Sequence, residues 1–312
     1  MIKLLLLLCI LTTTLGADYS FVTTYAPKIW MAQGEEYFPC SVEYYQNYTH
    51  VEAISGVNWL ISNEKLSDPS QVLPYFHGQN PNSTIVPVYT IVLPDPREPD
   101  PVLALEQPLT HRVIVTYFTL YPYNRGKEIL DTVFDDHIGD LEHAHIYFTN
   151  GKPTTVVASY HAWNTTKKWG DPGIEMVGNH PVLYSAWGGH GLWFSAGAHE
   201  YYKFPKLVDY TSQGTAWDTW KDLDIIFPWA WNKTYSSAWN TTWLTEIFRW
   251  GDPSSDFPKD NCFKVFGDTY CRLDDGPVGF LGKSLIQDII RGLVAKGISC
   301  KENCLWPAGI FS

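Results

Sequence analysis

The chain has 312 residues, of which 45% are hydrophobic and only 18% are charged, so it can bury a sizeable core and is not disordered over most of its length. With 14 Trp, 19 Tyr and 15 Phe it is rich in aromatic residues, a composition that favours strands over helical bundles. The net charge of −11 excludes nucleic acid as a partner, because proteins that follow phosphate backbones need clustered Lys and Arg.

Residues 1–16 have the three parts of a secretory signal peptide. Lys3 supplies a positive charge, residues 4–11 form a short apolar run, and Thr14-Leu15-Gly16 is a small-x-small cleavage site. The apolar run is shorter than the ~20 residues that span a bilayer, and no later run reaches that length. We therefore expect a secreted mature domain, 17–312, with no transmembrane segment, in preference to a buried N-terminal strand.

Glycosylation sequons agree with the secretory pathway. Five Asn-x-Ser/Thr sites occur, and any that are used must lie on exposed loops. They are Asn47, Asn82, Asn164, Asn232 and Asn240.

Five cysteines remain after the signal peptide is removed. In an oxidising compartment, local pairing predicts the disulfides Cys262/Cys271 and Cys300/Cys304 and leaves Cys40 unpaired, although other pairings are equally compatible with the sequence. We expect these bonds to stabilise the C-terminal region and to have no redox role.

Strand-like runs are short and frequent, and turn-rich stretches separate them. They cover residues 19–25, 57–62, 86–93, 112–120, 142–148, 154–161 and 181–187. One segment, 284–296, has apolar residues at helical spacing and ends before Gly297. The pattern predicts a mainly β, antiparallel sandwich-like single domain with one C-terminal amphipathic helix docked on it.

Ionisable side chains are densest between residues 135 and 145. If the strands around Asn150-Gly151 form a hairpin with a two-residue loop, Asp140 faces His161 and Glu142 faces Ser159 on one side of the sheet. This register is conditional, because Pro153 cannot donate to the ladder and a slip of one residue reverses the faces.

Two interpretations of this cluster stay open. The first is a charge-assisted hydrogen bond that stabilises the sheet, and the second is a divalent-metal or acid/base centre. The candidate metal ligands are His137, Asp140, Glu142, His161 and His190. No Gly-x-Ser-x-Gly, His-Glu-x-x-His or Cys-x-x-Cys motif is present, so no catalytic residue is assigned.

Seven tryptophans crowd into residues 217–250. Core and inter-sheet packing is the favoured interpretation. Because an indole N–H needs a partner, we also expect some of them to be partly exposed, and a flat aromatic platform for sugars or a membrane surface is the alternative. They are Trp217, Trp220, Trp229, Trp231, Trp239, Trp243 and Trp250.

Several sequence blocks, in order, resemble the vacuolar protein sorting-associated protein 62 family and its plant relatives of unknown function. The opening block is Tyr25-Ala-Pro-Lys-Ile-Trp30 with Glu36-Tyr-Phe-Pro-Cys40, and the central one is His137-x-Gly-Asp-x-Glu-His143. Later blocks are Ser159-Tyr-His161, Pro181-Val-x-Tyr-Ser-Ala186, Gly189-His190, Asp209-Tyr-Thr-x-x-Gly214 and Arg249-Trp-Gly-Asp252. Leu141 replaces the usual Trp of the central block, and Cys40 stands where Ser is common.

The central block is also distantly similar to a motif of necrosis-inducing secreted cytolysins, in which acids and histidines hold a divalent metal on a β-sandwich. Family resemblance implies vacuolar sorting, and a vacuole-lumen location as the alternative to secretion, but no established reaction. We therefore expect a non-catalytic binding or sorting-related glycoprotein with a divalent-metal site. The alternatives are a metal-dependent hydrolase and a membrane-active or glycan-binding protein, and the sequence names no protein partner.

Overall fold

The structure, a computed structural model, describes residues 18–66, 70–129, 132–203, 206–226, 243–244, 248–257, 261–265 and 268–295. Over these residues the protein is mainly β and sandwich-like, which confirms the fold class expected from the sequence. Several predicted features lie outside the described residues. These are the signal peptide 1–16, Asn232, Asn240, Cys300 and Cys304.

The described elements are numbered in chain order. The strands are β1 Lys28–Trp30, β2 Thr49–Ile54, β3 Val57–Ser62, β4 Val88–Pro94, β5 Arg112–Asn124, β6 Lys127–Ile129, β7 Thr132–Phe134, β8 His137–Thr149, β9 Lys152–Tyr160, β10 Trp163–Lys168, β11 Met176–Val177, β12 His180–Ser185, β13 Leu192–Trp193, β14 Gly197–Lys203, β15 Lys206–Thr211, β16 Ala216–Asp218, β17 Leu223–Ile226, β18 Arg249–Trp250, β19 Cys262–Val265 and β20 Asp268–Cys271. The helices are α1 Ser20–Thr24, α2 Val42–Gln46, α3 Pro101–Glu106 and α4 Ser284–Ala295.

A six-stranded sheet in the order β10-β9-β8-β5-β4-β17 forms the centre of the molecule. Strands β5 and β8 are 13 residues each and pair along their whole length, which aligns Asp140 with Tyr121 and Glu142 with Thr119. Nearly every residue of β5 is buried, because both faces of this sheet are covered. All neighbouring strands are antiparallel except β17, which joins β4 in parallel.

A second sheet has the order β11-β12-β1-β16, and β13 pairs with β12 beside it. The loop between β12 and β13 carries His190 onto the face of the central sheet that presents Asp140. A three-stranded sheet, β18-β3-β2, and three two-stranded ribbons complete the described strands. The ribbons are β6-β7, β14-β15 and β19-β20.

The predicted hairpin forms between β8 and β9. Asn150 and Gly151 have φ of 52° and 68°, the left-handed backbone that a two-residue hairpin turn of this kind requires. Phe148 pairs with Pro153 as the two-residue loop predicts, but the register then shifts by one residue between Tyr147 and Phe148. A bulge next to a proline is expected, since proline has no N–H to donate to the ladder.

Beyond the bulge, the predicted cross-strand pairs are wrong. Ala144 pairs with Ala158, one position away from the predicted register. Strand β9 ends at Tyr160, and His161 has a φ of 49°, so the chain turns there instead of continuing opposite Asp140.

One predicted strand is wrong in type. Residues 19–25 contain the short helix α1, although Thr, Phe and Val favour strands. Tertiary packing outweighs this preference, because the helix buries Phe21 against Phe148 at 4.7 Å between ring centroids. The Tyr117 hydroxyl also donates to the Val22 carbonyl at 2.7 Å, which fixes the helix on the central sheet.

The predicted C-terminal helix is confirmed as α4, with Ile286 and Ile289 buried. The described tryptophans of the 217–250 cluster lie mostly in the core, as the favoured core-packing interpretation expects. Trp217, Trp243 and Trp250 are buried, Trp220 is partly buried, and Trp229, Trp231 and Trp239 lie outside the described residues.

Candidate functional site

A cleft of about 670 Å³ opens beside the central sheet, and four of the five predicted metal ligands line it. They are His137, Asp140, Glu142 and His161. The fifth, His190, is fully buried behind the cleft, whereas its neighbour Gly189 reaches the surface of the cleft. We call this space the central cleft. Its other walls are Asn124, Lys127, Phe134, Asp135, Ala162, Trp163, Tyr201, Tyr202, Leu207, Thr269, Tyr270, Cys271, Asp274, Pro277 and Lys283.

Asp140 is held by His190, not by His161. The Nδ1 atom of His190 donates to Asp140 Oδ2 at 2.9 Å, and its Nε2 donates to the Tyr37 carbonyl at 2.9 Å. Both ring nitrogens therefore face oxygen acceptors, and the contact with Asp140 is a buried, charge-assisted hydrogen bond. The ring stacks on Tyr121 at 3.8 Å between centroids.

This pair keeps Asp140 ionised. Burial alone would raise the pKa of the carboxyl, but the hydrogen bond from His190 and the positive charges of His137, His190 and Lys283 outweigh burial and lower it. Asp140 is therefore the fixed negative charge of the cleft.

Glu142 lies two residues further along β8, on the same face, and its pKa is shifted in the opposite direction. Within the described part of the chain no donor hydrogen-bonds to its carboxyl. Burial, followed by the charge of Asp140, raises the pKa of Glu142 well above its ordinary value. The pKa values of the two neighbouring carboxyl groups are thus shifted in opposite directions, that of Asp140 down and that of Glu142 up.

A second network surrounds Asp209, which is fully buried on β15. Lys127 Nζ lies 2.6 Å from Oδ1, while His161 Nε2 and Trp193 Nε1 lie 3.1 and 3.0 Å from Oδ2. Burial would raise the pKa of Asp209, but the hydrogen bond and charge of His161 and the charge of Lys127 lower it to about 2. Sequence reasoning missed Asp209 as a site residue, although it begins the matched block 209–214.

Aromatic side chains form one rim of the cleft. Tyr201 stacks on His161 at 4.1 Å between centroids, and Trp163 and Tyr202 lie beside it. Trp163 keeps 43% of its surface exposed, so an indole face is open to a ligand in the cleft. This rim, and not the 217–250 cluster, is the aromatic platform of the described residues.

The opposite wall is the β19-β20 ribbon, in which Cys262 and Cys271 pair directly and form a disulfide. The Asp135 N–H donates to the Cys271 carbonyl at 3.0 Å, which joins this ribbon to the start of β8. Cys40 is a buried free thiol, and burial raises its pKa well above the ordinary value, so it stays protonated.

The five predicted metal ligands do not converge on one point. Asp140 pairs with His190, His161 pairs with Asp209, and the Nδ1 atom of His137 donates to the Gly139 carbonyl at 2.6 Å. Across the described residues, no three His, Cys, Asp or Glu side chains are placed to hold a metal ion. In this geometry the five side chains are divided among separate hydrogen-bond networks, so the metal site stays a prediction.

The three described sequon residues, Asn47, Asn82 and Asn164, are exposed. No helix among the described residues is both long and apolar enough to cross a bilayer.

No protein-family model matches the chain. Two proteins of Saccharomyces cerevisiae are similar in sequence. The vacuolar protein sorting-associated protein 62 is 26% identical over 241 residues, covering 64% of this chain and 50% of that protein. A second vacuolar protein sorting-associated protein, TDA6, is 29% identical over 122 residues, covering 33% of this chain and 26% of that protein. The chain thus spans half or less of the length of these relatives.

Among solved structures, necrosis and ethylene inducing protein 2 of the agent of cocoa's witches' broom disease is 14% identical with a TM-score of 0.35, covering 58% of this chain and 69% of that one. NLPPya in complex with mannosamine is 13% identical with a TM-score of 0.38, covering 75% of this chain and 83% of that one. We build no argument on scores this low. What the sequence comparison does show is that the chain is a weak homologue of the yeast vacuolar protein sorting-associated proteins 62 and TDA6.

Proposed function

We propose that the protein is a secreted or vacuole-lumen glycoprotein, mature from residue 17, with a non-catalytic binding or sorting-related role, and that its ligand binds in the central cleft. The observation that carries the proposal is the cleft itself. A space of this size, lined by converging polar groups and one aromatic rim, is the usual form of a small-ligand site. Weak homology to the two yeast sorting-associated proteins supports the vacuolar location.

The chemistry of the cleft favours a glycan as the ligand. The indole face of Trp163 offers a flat apolar surface for the C–H face of a sugar ring. The Asp140 carboxylate accepts hydrogen bonds, and the raised pKa of Glu142 favours its protonated form, which both donates and accepts them, so the pair suits hydroxyl groups.

Ligand binding is tested on a glycan array with the glycoprotein purified from a secretory host. We expect binding to be retained by wild type and weakened about 30-fold by Trp163→Ala, since loss of a central aromatic contact costs about 2 kcal/mol. Tyr210→Ala is the matched control, because Tyr210 is exposed but does not line the cleft. Equal binding by the Trp163 variant, or no retention of any glycan, would refute the glycan assignment. Turnover of a bound glycan or ester would favour the hydrolase alternative.

The predicted metal site stays a prediction, and elemental analysis of the purified glycoprotein tests it. From the hydrogen-bonded geometry we expect no stoichiometric divalent metal, because Asp140 and His161 belong to separate networks. Stoichiometric metal in the wild type that is lost in an Asp140→Ala/His161→Ala double variant would contradict this expectation and establish the site. The same analysis of Tyr210→Ala controls for metal bound nonspecifically.

A further inference from the structure

A second cavity, of about 250 Å³, lies away from the central cleft and has the sequon residue Asn82 on its wall. We call it the Asn82 cavity. Drug-sized ligands occupy sites of about 300–1,000 Å³, so this space suits a single sugar residue. The sequon loop is well fixed, because the Asn82 N–H donates to Asn80 Oδ1 at 2.9 Å and the Thr84 N–H to the Asn80 carbonyl at 3.1 Å.

Two polar groups on the wall of this cavity have no partner among the described residues. They are the indole N–H of Trp217 and the carboxyl of Asp222. Burial raises the pKa of Asp222, as expected for a half-buried carboxyl without a donor. An N-acetylhexosamine offers partners for both: its hydroxyl groups can donate to the carboxyl of Asp222, and its amide carbonyl can accept from the indole N–H of Trp217.

The same wall carries the most exposed large hydrophobic side chain recorded for the described residues. Ile85 follows the sequon directly and leaves 71% of its surface in solvent. A sugar attached at Asn82 would cover it with a C–H face while its polar groups reach Trp217 and Asp222. The Asn82 side chain itself forms no hydrogen bond with the described residues, so its Nδ2 is free for attachment.

We propose that Asn82 carries an N-linked glycan whose first sugar occupies the Asn82 cavity, beside the indole N–H of Trp217 and against Ile85. The proposal rests on the proposed secretory location. The bond joins Asn82 Nδ2 to the anomeric carbon of an N-acetylhexosamine. The lipid diphosphate of the oligosaccharide donor leaves, and the amide proton goes to solvent.

The test is enzymatic release of glycans from the folded glycoprotein, followed site by site by mass spectrometry. The glycan at Asn47, an exposed sequon outside this cavity, is the internal control. We expect the Asn82 glycan to be released about tenfold more slowly than the Asn47 glycan in the native protein, the ratio that corresponds to about 1.4 kcal/mol of packing. After unfolding, the two rates should become equal.

A matched pair of variants checks the covering of Ile85. Thr84→Ala destroys the sequon, whereas Thr84→Ser keeps it with the smallest change of side chain. Covalent solvent footprinting at Ile85 should increase in Thr84→Ala and in neither Thr84→Ser nor Asn47→Gln.

Each outcome bears on a definite claim. Glycans at other sequons with none at Asn82, or equal native release rates at Asn82 and Asn47, would overturn the cavity proposal and leave the secretory proposal standing. Absence of glycan at all five sequons of the protein from a secretory host would overturn both.

Discussion

Replacing Asp209 by alanine is expected to lower the free energy of unfolding by about 3–5 kcal/mol, the cost of breaking a buried charge pair by removing one partner. Asp209 is fully buried and accepts from Lys127, His161 and Trp193. Its loss leaves a largely buried ammonium group without a counter-charge and an indole N–H without an acceptor. Urea denaturation at pH 7 measures the change.

The control lies on the same ribbon. Glu200 of β14 forms an ion pair with Lys206 at 3.1 Å, but both side chains are exposed, so Glu200→Ala should cost no more than about 1 kcal/mol. Comparable losses in the two variants would show that Asp209 has no special structural role.

The pH dependence follows from the same carboxyl. The folded pKa of Asp209 is lowered to about 2 from an ordinary value of 3.8, so its stabilisation is complete above about pH 4 and is lost as the pH falls towards 2. In Asp209→Asn, the part of the acid-induced loss of folding stability that comes from protonation of Asp209 should be absent. An unchanged slope of stability against pH between about 4 and 2 in that variant would contradict the assignment.

Replacing His190 by alanine should have a similar effect, about 3–5 kcal/mol, because it leaves ionised Asp140 buried without its partner. The variant also removes the donor to the Tyr37 carbonyl and the stacking on Tyr121. His50→Ala is the control, since His50 is exposed and such substitutions change stability by about 0.5 kcal/mol or less.

A double-mutant cycle with Asp140→Asn separates pairing from packing. If the two side chains act as an ion pair, the double variant should lose less than the sum of the single variants, by about 1–3 kcal/mol. Additive losses would mean that His190 stabilises the fold by packing alone.

The central sheet could be predicted from the sequence because local signals agree there. Short strand-like runs between turn-rich stretches located β3, β5, β8 and β9, and Asn150-Gly151 indicated the hairpin between the last two. The register could not be predicted, since a bulge one residue wide depends on how Pro153 is accommodated by its neighbours.

Four of the five predicted site residues line one cleft, but their pairing differs from the predicted one. Asp140 and His161 take partners from β12–β13 and β15, which are far away in sequence, so no local spacing indicates them. Asp209 carried no signal beyond its place in a matched block. For the tryptophans, core packing was the favoured interpretation, and Trp243 and Trp250 pack around Phe280 in the core.

The three parallel pairings have a consequence for how the chain folds as it is synthesised. In each of these pairs, among the described strands, the first strand can pair only after a much later one has been synthesised. The pairs are β1 with β12, β3 with β18 and β4 with β17. Until β17 is synthesised, one edge of β4 is unpaired, although all seven residues of this strand are buried in the final fold. Such an edge invites association with other chains. Nascent protein should therefore depend on chaperone protection until residue 226 has been made, and truncation before β17 should yield aggregates.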